Sequence, residues 1–508
     1  MPEDLYGLFR SRFPHDPDAA VLEREDGRRT SYGELDAACA RYARLLADLG
    51  VGKGDRIVVQ VDKSPEAVVL YLAALRSGAV YVPLNPAYTA AEVAYFLGDA
   101  EPTVVVCRPE SEPLFRGLCA ERRVSHLLTL GSAGEGSLVE RSATLPADAP
   151  LVTVEANDLA AILYTSGTTG RSKGAMLAHR NLSSNALTLC DLWGFRADDV
   201  LLHALPIFHA HGLFVALHCT LLAGAQMLFC SRFDADAVIR LLPRVTVLMG
   251  VPTFYTRLLA HPGLTRERCT GVRLFISGSA PLLAETHRRF RERTGHAILE
   301  RYGMTETLMN TSNPLDGERV PGSVGPALRG VEVRVVGAEG RILGRNEVGA
   351  LEVRGPNVFG GYWRMPDKTR AEFRPDGFFV TGDLGLIDER GYVHLVGRSK
   401  DLIISGGLNV YPKEVETVID RLPGVVESAV VGVPHPDFGE AVVAVVKRES
   451  GRREPTEQAI VSAAKSELAS YKVPKRVLFA DDLPRNAMGK VQKTLLQDRH
   501  RDLFLEER

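Results

Sequence analysis

At 508 residues the chain exceeds what one hydrophobic core usually serves, so two or more domains are expected. A hydrophobic fraction of 45% with 24% charged residues describes an ordinary folded globular chain. The formal net charge of -2 argues against bulk electrostatic binding to nucleic acid or anionic membrane, so any anion must be held by local arrangement.

The chain opens on Met1-Pro2-Glu3-Asp4, acidic and with no apolar run of signal-peptide type behind it. No later stretch approaches the roughly 20 apolar residues needed to span a bilayer. The seven cysteines, Cys39, Cys107, Cys119, Cys190, Cys219, Cys230 and Cys269, contain no CxxC pair. They suit a reducing compartment and neither a disulfide framework nor a structural zinc site. A cytoplasmic enzyme without nucleic-acid or membrane partners is the expectation.

From about residue 55 to residue 300 short apolar runs alternate with amphipathic stretches. Arg56-Ile57-Val58-Val59-Gln60-Val61 reads as a buried strand, residues 66–76 have helical spacing, and Val80-Tyr81-Val82-Pro83-Leu84 reads as strand again. Further strands are expected at 103–107, 159–164, 245–250, 272–277 and 297–300. Strands separated by helix-length segments imply parallel crossover units with helices on both sheet faces. After Gly325 the pattern changes. Val331-Glu332-Val333-Arg334-Val335-Val336 and Ala350-Leu351-Glu352-Val353-Arg354 alternate with period two, as antiparallel strands of a smaller β subdomain do. Gly397-Arg398-Ser399-Lys400-Asp401 is the expected break, giving domains 1–399 and 400–508. Beyond it strands at 402–405, 425–431, 441–446 and 473–479 with helices at 412–422 and 456–468 would build a small α+β domain.

The strongest local signal is Tyr164-Thr165-Ser166-Gly167-Thr168-Thr169-Gly170-Arg171-Ser172-Lys173-Gly174. Glycines let a backbone approach oxygens closely and point N–H groups inward, hydroxyls add donors, and Lys173 supplies charge. Polyphosphate suits that combination better than a plain polar turn does. It is not a Walker A loop, since Ser172 precedes Lys173 and Gly174 follows it.

Residues 165–174 resemble the signature of the adenylate-forming superfamily of acyl-CoA synthetases, luciferases and peptide-synthetase adenylation domains. The other elements follow in that superfamily's order: Arg301-Tyr302-Gly303-Met304-Thr305-Glu306-Thr307, Thr381-Gly382-Asp383, Gly397-Arg398-Ser399-Lys400-Asp401 and Pro484-Arg485-Asn486-Ala487-Met488-Gly489-Lys490. The resemblance covers essentially the whole chain. It implies an α/β fold: a large N-terminal domain of layered α/β sheets with a β subdomain, and a small mobile α+β C-terminal domain.

The resemblance also assigns roles. Thr165, Ser166, Gly167, Thr168, Thr169, Gly170 and Lys173 would hold the phosphates of ATP. Thr305 would touch the α-phosphate and Glu306 would hold Mg²⁺, a hard cation that favours oxygen. A lone Glu is ordinarily a solvated residue, and only the motif overturns that. Ser277, Gly278, Ala280, Glu300, Arg301, Tyr302 and Gly303 would line the adenine site, with Tyr302 stacking on the base. Asp383 would accept from the ribose hydroxyls, and Arg398 would contact ribose or phosphate. Lys490, on the mobile domain, would bridge the attacking carboxylate and the phosphate, as an ammonium on a flexible stem can. Acetylation would remove that charge, so an acetyltransferase acting on Lys490 is an expected partner. Lys400 would be the hinge about which the small domain turns. Ser405, Gly406, Gly407 and Leu408 would then shape the CoA tunnel.

Within the superfamily the chain is similar to malonyl-CoA synthetases. The segments are Leu205-Pro206-Ile207-Phe208-His209-Ala210-His211-Gly212-Leu213, Gly250-Val251-Pro252-Thr253-Phe254-Tyr255-Thr256-Arg257, and the stretch from Arg301 to Ser312. The distal carboxylate of a dicarboxylate needs a fixed cation or several donors. The resemblance gives it Arg257, assisted by Ser279, with His209 on the substrate side. An unplaced Arg would otherwise be read as a surface residue. Ala210 and Met304 would border the malonate α-carbon, and the small Ala210 would leave room for methylmalonate. Three other readings stay open: a CoA ligase for an aryl or medium-chain fatty acid, an adenylation protein loading a carrier-protein thiol, and a nucleotide-binding regulator without catalysis.

Overall fold

A computed structural model describes residues 4–165, 172–449, 455–486 and 489–504. Two large sheets carry residues 20–312. One is six-stranded, in the order His126–Thr129, Val104–Cys107, Arg56–Gln60, Val80–Pro83, Leu159–Thr165, Lys173–Ala178. The other is eight-stranded and includes Val200–His203, Val247–Gly250, Leu274–Ser277, Leu299–Met304 and Leu308–Ser312. Their interior strands are parallel, as expected, and read as continuous apolar runs because both faces are covered.

Helix Pro65–Arg76 shows how tightly the layers close. Ser64 caps it by accepting from the Ala67 N–H, Pro65 occupies its first turn, and every residue from Ala67 to Arg76 is buried. A helix that is apolar all round belongs in the interior, and it sits in one core cluster with strands of both large sheets.

The edges depart from the parallel expectation. Lys173–Ala178 pairs antiparallel with Leu159–Thr165. Leu308–Ser312 likewise folds back on Leu299–Met304. The period-two segments do form an antiparallel sheet, Glu332–Val336, Gly349–Arg354, Phe379–Ile387 and Val393–Arg398. A single turn, Ser399–Asp401, connects it to the C-terminal α+β unit. There Val425–His435 and Gly439–Arg448 form the long central hairpin, with helix Pro412–Ile419 packed on one face. Gly406 and Gly407 lie in the turn of a hairpin between strands Ile403–Ser405 and Leu408–Val410. Among the described residues no helix is long and apolar enough to cross a membrane.

Candidate active site

The site grows from strand Leu299–Met304. It pairs parallel with Leu274–Ser277, setting Glu300 beside Ser277, and antiparallel with Leu308–Ser312. The reversal demands Gly303, because a Cβ there would stand 1.9 Å from the Leu308 carbonyl oxygen. Thr305, Glu306 and Thr307 form the turn, which tucks Glu306 inward. Its Oε1 accepts from the Thr165 hydroxyl at 3.3 Å and lies 3.1 Å from the Tyr362 hydroxyl oxygen. Burial raises the Glu306 carboxyl above the usual range.

A cleft of about 420 Å³ opens between this edge and the small domain. On its large-domain side stand Ser277, Ser279, Ala280, Glu300, Arg301, Tyr302 and Gly303, together with Arg257. Asp383 and Arg398 come from adjacent antiparallel strands, paired residue to residue. The Tyr302 hydroxyl donates to Asp383 Oδ2 at 2.5 Å, and Arg398 Nε lies 2.8 Å from Oδ1. Burial pushes Glu300 up to about 8, so it is mostly neutral at pH 7, with the Gly322 N–H 3.3 Å from Oε1.

Lys490 enters the same cleft from the small domain. Its backbone N–H donates to Asn486 Oδ1 at 3.0 Å. Arg485 braces the loop, donating to the Gly489 carbonyl at 2.6 Å while its other Nη pairs with Glu427. Burial first, and the Arg398 guanidinium second, hold the Lys490 ammonium down to about 8.

One corner of the cleft holds buried polar atoms without partners. Arg301 lies over bare Gly278, where an added Cβ would stand 2.4 Å from its guanidinium carbon. Its Nε and Nη2, Ser277 Oγ and His211 Nε2 find no hydrogen-bond partner among the described residues. Burial lowers Arg301 to about 9. His211 Nδ1 lies 3.3 Å from Ser279 Oγ, and burial, followed by Arg301, keeps that imidazole neutral. His211, more than His209, thus faces Ser279. His209 packs against Phe208 with ring centroids 4.6 Å apart, and burial lowers it to about 4. Arg257, on helix Pro252–Ala260, is exposed and makes no hydrogen bond or ion pair among the described residues.

The remaining expected residues lie off the cleft lining. Ala210 is buried in the main core and Met304 packs on its edge. Thr165, Thr305, Glu306 and Lys173 form a second group beyond the Gly303 turn. Lys173 Nζ lies 3.2 Å from Glu372 and 4.1 Å from the centre of the Tyr362 ring. Lys400 is exposed in the interdomain turn. Ser405, Gly406, Gly407 and Leu408 do not border the cleft, and Leu408 is 49% exposed. Ser166, Gly167, Thr168, Thr169 and Gly170 lie outside the described residues. Sequence reasoning did not single out Tyr362 and Glu372, nor Lys413, Glu416 and Lys493 on the small-domain wall. No motif includes them, although Lys493 lies only three residues beyond Lys490.

The family model described as "AMP-binding enzyme" matches residues 9–363, and "AMP-binding enzyme C-terminal domain" matches residues 414–490. The crystal structure of ATP-bound MatB from Rhodopseudomonas palustris is 56% identical, with 99% of this chain and 100% of that chain covered and a TM-score of 0.97. The apo form of that protein, at the same identity and coverage, gives 0.86. A feruloyl-CoA synthase from Amycolatopsis sp is 37% identical over 93% of this chain and 94% of its own length. A malonate–CoA ligase from Arabidopsis thaliana is 34% identical over 97% of this chain and 88% of its own.

Proposed function

We propose, on the premise that this chain belongs to the AMP-binding enzyme family and is an AMP-forming acid–CoA ligase, that its acid is malonate. The observation that carries the choice is Arg301, a buried guanidinium with unpartnered Nε and Nη2 beside Ser277, Ser279 and neutral His211. An uncompensated buried cation is costly, and a ligand carboxylate relieves it. A fatty or aryl acid spends its only carboxylate on the phosphorus and leaves Arg301 bare. A dicarboxylate keeps one in reserve. Arg257, free at the cleft wall, gives that distal carboxylate a second cation. The likeness to a malonate–CoA ligase supports the same choice.

In the first half-reaction a malonate carboxylate oxygen attacks the α-phosphorus of ATP and pyrophosphate leaves, giving malonyl-adenylate. Lys490 steadies the two anions as they meet, Asp383 turns from Tyr302 and Arg398 to the ribose hydroxyls, and the segment 165–173 holds the leaving phosphates. Mg²⁺ fits this chain: one buried carboxylate, Glu306, with phosphate oxygens and water completing the shell, would hold it and offset charge on the phosphates. In the second half-reaction the small domain turns about Lys400, residues 405–408 approach, and the CoA sulfur displaces AMP from the acyl carbon. The better match to the ATP-bound than to the apo form of one relative supports a small domain that changes position. We place the domain boundary at 399/400. All seven cysteines are free, which suits a cytoplasmic setting. Lys490 is half-buried on the cleft wall, so turning the small domain away would open it further to acetylation. Mass spectrometry of the protein from growing cells checks for it.

The test is AMP release with ATP, Mg²⁺ and CoA across malonate, methylmalonate, benzoate, ferulate and octanoate, in the native enzyme and in Arg301→Leu and Arg257→Leu. Malonate should have the highest kcat/KM. Each substitution should cost it about tenfold to a hundredfold, as loss of a charge-assisted bond does, and should leave octanoate unchanged or improved. Ferulate or benzoate outrunning malonate would transfer the assignment to the aryl reading.

A further inference from the structure

Glu372 has no role in the reaction as derived, yet it touches the most distinctive lysine of the chain. Lys173 opens strand Lys173–Ala178, and its backbone is fixed by pairing with Thr165, so only its side chain is free to change partners. The ammonium is buried, over the Tyr362 ring and 3.2 Å from Glu372 Oε1. That is longer than the roughly 2.7–2.9 Å of a tight charge-assisted bond. The same Oε1 has a second cation, Lys368 Nζ at 2.8 Å, one helical turn earlier in Pro366–Glu372. The other oxygen, Oε2, lies 2.7 Å from the Tyr362 hydroxyl. Glu372 therefore keeps a cation and a donor if Lys173 departs.

We propose that Glu372 is the resting counter-ion of Lys173: it holds the lysine before nucleotide arrives and yields it to the triphosphate when ATP binds. The inference rests on the reading of Lys173 as a phosphate ligand. A purely structural ion pair gains little from a duplicate cation. An exchangeable one needs it, because a half-buried carboxylate stripped of its only partner would resist the exchange. Lys368 is the spare that makes the swap cheap. The Tyr362 hydroxyl has a single proton and lies between Glu372 and Glu306, at 2.7 and 3.1 Å. It joins the swap to the carboxylate assigned to Mg²⁺. The same exchange in reverse gives Lys173 a partner as pyrophosphate leaves.

The experiment is calorimetric binding of Mg·ATP to the full-length chain without acid or CoA. Removing the competitor in Glu372→Gln should tighten ATP binding by roughly threefold to tenfold, the worth of a partly buried ion pair. Removing the spare in Lys368→Gln should weaken it by a similar factor, because Glu372 then clings to Lys173. The double variant should match Glu372→Gln. A structural role predicts the opposite sign for Glu372→Gln, and unchanged or weaker binding there would overturn the proposal. If that variant does not fold, Lys368→Gln decides alone: weaker binding supports the exchange and native affinity overturns it. Lys173→Gln separates the premise from the inference. It should bind ATP at least about tenfold more weakly, and native affinity would overturn the phosphate-site reading itself.

Discussion

In the role proposed for it Lys490 works only while protonated, and it is held down to about 8 by burial and by Arg398. In the free enzyme it is charged below that value and progressively neutral above it. Because kcat/KM reports the free enzyme, its value for the adenylation half-reaction should fall about tenfold per pH unit above about 8. In kcat the limb should lie higher, since bound anions favour the charged form. Lys490→Arg, which stays charged, should give a slower but flat profile over the same range. Pyrophosphate exchange across pH checks both, and a native profile flat to about pH 10, where an ordinary lysine titrates, would remove Lys490 from the step. Single residues of this kind were legible in the sequence because they sit in motifs whose order is itself informative. Arg301 was legible as a motif member and illegible as a bare cation. Its lack of partners is a property of Ser277, Gly278 and His211 around it, which come from two other segments of the chain.

The hairpin of Leu299–Met304 and Leu308–Ser312 depends on one missing side chain. A methyl at position 303 would overlap the Leu308 carbonyl, and backbone cannot give way as a side-chain end can. Gly303→Ala should cost about 3 kcal/mol of stability or shift the register, displacing the Glu306 turn and Tyr302 together. Thermal melting with ATP–pyrophosphate exchange checks this: a native melting temperature with native exchange would mean the hairpin tolerates a Cβ there. Elements of this type mark the limit of pattern reading. Strands covered on both faces, such as Arg56–Gln60 and Val104–Cys107, stand out as apolar runs, and Val335 and Leu351 announce the antiparallel sheet by alternation. Where a strand goes next is decided elsewhere. The run at 159–164 carries the same apolar signal whether its successor crosses over or folds back. The fold-back is dictated by the pairing of Thr165 with Lys173 across a loop whose composition speaks of phosphate and not of topology.

On the proposed mechanism two half-reactions share one cleft, and the small domain resolves that conflict by turning. The turn Ser399–Asp401 is the sole covalent bridge between the four-stranded sheet and the small domain, and its one backbone bond is donated by Leu402 to Ser399. A proline at 400 therefore removes no hydrogen bond seen among the described residues of the turn, while fixing φ at the proposed pivot. The present arrangement, with Lys490 beside Asp383 and Arg398 and residues 405–408 turned away, suits adenylation and not thioester formation. Lys400→Pro should hence keep ATP–pyrophosphate exchange within about threefold of native and lower malonyl-CoA formation at least about a hundredfold, with malonyl-adenylate accumulating on the enzyme. The direction follows from which arrangement is frozen, so the experiment tests geometry and not merely sensitivity to mutation. Equal loss of both half-reactions would mean that position 400 supports the fold without pivoting, and the turn of the small domain would have to be sought at another residue. The orientation itself could not be read from the sequence: the same chain must be compatible with both positions, so no residue pattern can favour one without disabling the other.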